Sequence, residues 1–273
     1  MTSKQATVTE LLVALADPAS ADREVGWAAA LAAALRVPVH LVHVFDPALG
    51  RDPVERAMAM ADDLLSIVAT DGRWAGGAAT HEVVSGLIDE ELPRVAARRP
   101  GAMLLLATDD SGRLRRAMGG DWGALLRRLT TPFILLPPEV VAPRAISTAV
   151  VGVDGSAHSV RIAAIAEELA ARLNLGVVRV EAVEPASMPG PEFLAVETEV
   201  GGAQVRVRGR AGQTIASVAR ARDAGLIVVG SHGKGQMTRL LLGSTSEWLA
   251  RHADRPVLIV PADERSERAG TDN

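Results

Sequence analysis

Along the chain, short and nearly continuous apolar runs alternate with longer stretches in which apolar residues return every three or four positions. Leu12–Ala16, Val39–Phe45, Met103–Ala107 and Phe133–Leu136 are such runs in the first half, and Val150–Val153, Val177–Val183, Leu226–Val229 and Val257–Val260 in the second. Val25–Leu35 and Val160–Leu173 carry the helical period. Strands this short and this apolar, separated by helices, predict an α/β fold whose parallel sheet is covered on both faces.

The pattern repeats. In the first half an apolar run ends at Asp17, a helix follows, and a second strand ends at Asp46-Pro47, 29 residues after Asp17. In the second half the same order leads from Asp154 to Glu184-Pro185, 30 residues later. Met103–Ala107 answers Leu226–Gly230, and Thr131-Pro132 followed by Phe133–Leu136 answers Arg255-Pro256 followed by Val257–Val260. Each half is of ordinary domain size. The proline-interrupted segment Pro137–Arg144 predicts a boundary, giving domains at 1–142 and 143–262 and a polar tail at 263–273.

Composition narrows the chemistry. The chain of 273 residues has no cysteine, which excludes a disulfide scaffold, a thiolate nucleophile and cysteine-ligated metal centres. Net charge is −4, aromatics are 3% and tyrosine is absent, so neither nucleic acid nor an anionic membrane is an expected partner. No apolar run approaches the roughly 18–20 residues of a membrane span, and the start lacks a secretory core, so a cytoplasmic location is expected.

The candidate chemistry lies after the fourth strand of the second half, in Gly230-Ser231-His232-Gly233-Lys234-Gly235, followed by Gly243-Ser244-Thr245-Ser246 at the start of a helix. Glycines let backbone N–H groups approach an anion, and a helix start favours phosphate. Ser244 and Ser246 are the N-cap candidates. Lys234, one of two lysines in the chain, adds a cation. Asp154 ends the first strand of the same half, where ligands of open α/β sheets bind. Taken alone, such a loop fits an anion site or a plain tight turn equally; it is neither a Walker A loop nor a dinucleotide fingerprint.

The spacing Gly230-x2-Gly233-x9-Gly243-Ser244, with Asp154 and the run Val229–Gly233, resembles the nucleotide-binding branch of the universal stress protein family, and the two-half layout resembles its tandem members. The resemblance covers about residues 8–261. It implies two adenine nucleotide alpha hydrolase-like domains, each a doubly wound five-stranded parallel sheet in the order 3-2-1-4-5, with ATP, with or without magnesium, across the carboxyl ends of strands 1 and 4. It places Asp154 and Gly152 at the adenosine, Ala182 at the adenine, and Gly230, Gly233, Gly243, Ser244 and Ser246 at ribose and phosphates, with Lys234 a further candidate from its place in the loop. It also implies that the fifth strands of the two halves, Phe133–Leu136 and Val257–Val260, pair within one chain; that uses up both edges, and a homodimer through another surface is the expected assembly.

The first half departs from this motif. Thr108-Asp109-Asp110 and Gly120-Asp121-Trp122-Gly123 stand where the second half has its glycines and serines. Like charges within ~4 Å repel by ~4 kcal/mol at an effective dielectric of 20, so Asp110 and Asp121 predict a first half without nucleotide. His40 and His43 lie three apart on opposite faces of a strand and make no metal pair. Arg206, Arg208 and Arg210 alternate on one face of a strand as a solvated edge, and Trp248 belongs to a helix core. No catalytic triad or carboxylate pair emerges, so the expected function is an ATP-binding stress or signalling regulator with at most weak ATPase activity. A cyclic AMP binder, an adenylating or ATP-hydrolysing enzyme, and a ligand-free interaction module are the alternatives.

Overall fold

The computed structural model describes residues 8–48, 53–74, 77–108, 122–138, 140, 147–183, 198–199, 204–232 and 242–262. The first half runs β1 (Glu10–Ala14), a single 3-10 turn (Pro18–Ser20), α1 (Asp22–Leu35), β2 (Val39–Phe45), α2 (Val54–Ala69), β3 (Thr80–Ser85), α3 (Ile88–Ala97), β4 (Ala102–Ala107), α4 (Trp122–Arg128) and β5 (Phe133–Leu136). The second runs β6 (Thr148–Val153), α5 (Ala157–Leu173), β7 (Gly176–Val183), β8 (Thr198–Glu199), β9 (Gln204–Arg208), α6 (Ala211–Ala221), β10 (Leu226–Gly230), α7 (Ser244–His252) and β11 (Val257–Val260).

The eleven strands of the described residues form one sheet, ordered β3-β2-β1-β4-β5-β11-β10-β6-β7-β9-β8. Read within each half, the order is 3-2-1-4-5. Among its described residues the second half has six strands rather than five, because the two-residue β8 adds to β9 antiparallel. Helix α2 fills the corresponding connection of the first half. At the centre, β5 and β11 pair antiparallel, with Leu258 opposite Ile134 and Ile259 opposite Phe133. Every other neighbouring pair except β8–β9 is parallel. The carboxyl ends of the strands in the two halves therefore lie at opposite edges of the sheet.

Side chains alternate between two core layers, as a pleated strand requires. Leu11, Val13, Met103 and Leu105 pack with Val25 and Leu31 of α1, Leu65 of α2, and Ile162 and Leu169 of α5. Leu12, Leu104 and Leu106 pack on the other face with Leu92 of α3, Leu125 of α4, Ile215 of α6 and Leu249 of α7. Both layers cross the β5–β11 seam, where Ile134 and Leu258 belong to the first and Phe133 and Ile259 to the second.

The repeat extends to hydrogen bonds. Helices α1 and α5 both end in a left-handed residue, Arg36 (φ 54°) and Asn174 (φ 55°), and the next amides, Val37 and Leu175, return to Ala32 and Ala170. Arg172 of α5 reaches across the halves, donating to the carbonyls of Val8 at 2.8 Å and Leu35 at 2.5 Å. It thus caps the open C-terminal end of α1 with a cation from the other half. Beyond β9 the chain turns at Gly209 (φ 146°), so Arg210 leaves the strand and opens α6, while Arg206 and Arg208 remain exposed on β9.

Candidate functional site

The carboxyl edge of β6 and β10 brings together most of the second-half residues that the sequence singled out. Asp154 follows β6 directly. Its Oδ1 accepts from the Ser156 N–H at 2.9 Å and from the Ser156 hydroxyl at 2.6 Å, and Ser156 in turn caps α5 by accepting from the Ser159 N–H at 3.1 Å. The carboxylate is thereby held by the turn that starts the helix. Asp17 repeats this at the end of β1, accepting from the Ala19 N–H at 3.1 Å.

Two of the glycines are explained by close packing. A methyl group on Gly230 would meet the Cδ1 of Ile162 and lie 2.7 Å from the Nε2 of His158, both on α5. One on Gly152 would lie 2.7 Å from the Cδ1 of Ile215 on α6. Helices on both faces thus close down on the strand ends at these two positions. Ala182 is half-buried near the end of β7, in register with Val207.

Beyond β10, Ser231 organises the turn. Its N–H donates to the Val260 carbonyl at 2.9 Å, its carbonyl accepts from the Gly243 N–H at 2.6 Å, and its hydroxyl accepts from the Ala262 N–H at 3.1 Å. The start of α7 is therefore tied to the end of β10. Gly243, not Ser244 or Ser246, is the N-cap, with extended backbone (φ −60°, ψ 148°) and no side chain capping the helix. Ser244 is the first helical residue and exposed. Ser246 is buried, its hydroxyl donating back to Gly243 at 2.9 Å and to Ser231 at 3.3 Å. The Ser246 hydroxyl thus fixes the turn. Trp248 packs α7 onto Gly212 of α6 and stacks on His252, ring centroids 4.7 Å apart. Gly233 and Lys234 lie outside the described residues.

Ser231 is the residue that sequence reasoning passed over. Its counterpart Thr108 follows β4 and donates its N–H to Leu136 at 2.9 Å, matching the Ser231–Val260 bond. There the two halves part. The Thr108 carbonyl accepts from Arg23 of α1 at 3.3 Å, and the same guanidinium donates to Pro138 at 2.9 Å and Pro137 at 3.4 Å. Arg23 thus spans the first half's carboxyl edge. Asp109, Asp110 and Asp121 lie outside the described residues.

The histidines of β2 are each engaged separately. His43 Nδ1 donates to the Leu15 carbonyl at 2.8 Å; His40 sits at the far end of the sheet between Thr80, Glu82 and Arg99. Among the described residues no three His, Cys, Asp or Glu side chains gather as a metal site, and no helix is long and apolar enough to cross a membrane.

A universal stress protein of Mycobacterium tuberculosis strain H37Rv is 27% identical over 91% of this chain and 95% of its own length. One from Mycolicibacterium smegmatis is 26% identical over 94% and 98%. A universal stress protein structure from Archaeoglobus fulgidus matches at a TM-score of 0.70 and 16% identity, covering 95% of this chain and 98% of that one, which shows a shared fold. The sequence pattern of the universal stress protein family matches residues 8–137 and 192–261. With well over half its length matched, the chain belongs to the universal stress protein family.

Proposed function

We propose that the second half, residues 143–262, forms a domain that binds one adenine nucleotide, ATP in the first instance, and that the first half, residues 1–142, is a domain that binds none. The observation that carries this reading is the start of α7. Its N-cap is a glycine, no side chain caps it, Ser244 beside it is exposed, and Ser231 ties it to the end of β10. A helix start left open at the carboxyl edge of a parallel sheet is suited to phosphate, whose oxygens satisfy the first N–H groups and meet the positive end of the dipole.

In this reading the N–H groups of the first turn from Ser244 onward hold phosphate, with Gly233 and Lys234 from the intervening loop, while Gly243, whose own N–H is held by Ser231, keeps the helix start clear of a side chain. Asp154, held by Ser156, accepts from the nucleoside. Gly152 and Gly230 act indirectly, by letting α6 and α5 close on the strands that carry the site. Ser246 acts through the turn it fixes. ATP supplies its own triphosphate charge, with magnesium as counterion from solution. The Asp154 Oδ1 accepts from two Ser156 donors, which fixes the carboxylate as a stationary acceptor, and the reading is a nucleotide-dependent regulator. In the first half Arg23 bridges the corresponding edge. A cytoplasmic homodimer whose state follows the nucleotide completes the proposal.

The test has two parts. Mass spectrometry of nucleotide released from the purified chain should find ATP; cyclic AMP, a reaction product or no nucleotide would each refute ATP as the ligand. The double variant Gly243→Asp/Ser244→Asp copies acidic character into the helix start and should lower ATP affinity by at least ~2–3 kcal/mol. Unchanged affinity in the folded variant would place the phosphates elsewhere.

A further inference from the structure

Helix α2 carries two apolar faces, and the fold buries one of them. Ala61, Leu65 and Ala69 are buried, with Leu65 and Ala69 in the core layer over the sheet. Met60, Leu64 and Ile67 stand on a different face and are 53%, 36% and 69% exposed. Their spacing of four and then three residues sets them in line along the helix, as in the a/d seam of a coiled coil. Ala57, three residues before Met60, continues the line with a small side chain. Single exposed apolar residues are ordinary on a protein surface. Three in line on one helix form a continuous stripe, and a stripe of this kind marks a contact surface.

The charges beside the stripe decide what fits it. Arg56 and Asp63 are both exposed and stand on the same flank, seven residues or ~10.5 Å apart along the axis. Among the described residues neither makes an ion pair or a side-chain hydrogen bond. Asp62, on another side of the helix, is committed to His81 at 3.3 Å. The flank across the stripe holds Ala57 and Val68 and no charge. A second α2 laid antiparallel on the stripe by a two-fold axis sets like flank beside like flank with the ends exchanged. Arg56 of each copy then meets Asp63 of the other, twice over, beside a seam of Met60, Leu64 and Ile67. A parallel arrangement sets the charged flank against the uncharged one and leaves all four charges unpaired.

We propose that the exposed face of α2 is the surface through which two copies of this chain form an antiparallel, two-fold dimer. The inference rests on the homodimer of the proposed function, to which it gives a surface, and it does not use the nucleotide site. A second copy is favoured over an unrelated partner because the stripe and its charges are complementary to themselves. Such a contact uses the same patch on both sides and closes at two copies. Among the described residues the second half has no counterpart of α2 from which the assembly could extend. One helix face is at the small end of interface sizes, so the dimer is weak and concentration-dependent, and salt screens its ion pairs.

Sedimentation equilibrium of the full chain tests this over protein concentrations from about 1 μM to about 1 mM, at low and high salt, with and without added ATP. A monomer–dimer equilibrium that weakens with salt is expected. Ile67→Asp changes an exposed position and should leave the thermal transition intact while weakening the dimer at least about tenfold. Arg56→Asp and Asp63→Arg should each weaken it about fivefold at low salt, and Arg56→Asp/Asp63→Arg should restore the wild-type value. A dimer indifferent to both Ile67→Asp and Met60→Asp overturns the α2 surface and leaves a homodimer through another face. Single charge changes that weaken the dimer without recovery in the double change overturn the antiparallel two-fold. Wild type that stays monomeric under every condition overturns the homodimer and this surface together, and leaves the stripe to a different partner.

Discussion

Gly230→Ala separates a packing glycine from a ligand-binding one. The added methyl would meet Ile162 Cδ1 and lie 2.7 Å from the His158 ring. Ile162 is 2% exposed and set in the core layer beneath α5, so its terminal methyl has no open space to turn into. Overpacking of this kind costs roughly 1–3 kcal/mol. For a chain of this length, about 2–4 °C in Tm per kcal/mol gives a drop of roughly 2–12 °C. The assay is calorimetric unfolding of the nucleotide-free protein. Ile162→Val removes the clashing atom, so Gly230→Ala/Ile162→Val should be more stable than the sum of the single changes predicts, by about 0.5–2 kcal/mol of coupling. An unchanged Tm for Gly230→Ala in nucleotide-free protein would refute the reasoning. So would strict additivity in the double variant.

Two further outcomes are expected. Leu258→Lys places an ammonium at a position 1% exposed and opposite Ile134; it should cost more than ~3 kcal/mol and speed hydrogen exchange across Phe133–Leu136, and unaltered exchange there would contradict a seam built on β5 and β11. Burial, and then the charge of Arg99, hold the His40 ring below its ordinary value of 6.5, against the opposing pull of Glu82 and Glu10. The folded state thus favours neutral His40: its contribution is complete above pH 6.5 and is lost as pH falls toward the lowered folded value. In pH-dependent unfolding, His40→Gln should flatten this slope on the acid side of 6.5, and an unchanged slope would assign the effect to other groups.

Eight of the described strands were legible because each is an apolar run with a counterpart in the repeat, while β3 and β9, which mix polar residues into the run, were not among them, and the strand order came from the family resemblance. Val39–Phe45 and Leu226–Gly230 appear with the bounds that the alternation implies. The connections between second and third strands were not legible: α2 in one half and β8 in the other occupy equivalent positions with no shared pattern. Asp154 stood out in the sequence because it ends a strand, and in the structure it organises the turn that follows. The N-cap was misread as serine because capping depends on backbone angles, and the residue that adopts them, Gly243, has no side chain to signal it. The contacts that require Gly230 and Gly152 come from α5 and α6, and Arg23 reaches Thr108 from 85 positions away in the chain. Such long-range contacts leave no local trace in the sequence.

The central claim is one nucleotide site per chain, in the second half, with the first half's edge bridged by Arg23. Isothermal titration of the full chain with ATP tests it most directly through its stoichiometry. A single site per chain is expected, abolished by Gly243→Asp/Ser244→Asp. Two equivalent sites per chain, or one site that survives that double change, would contradict it.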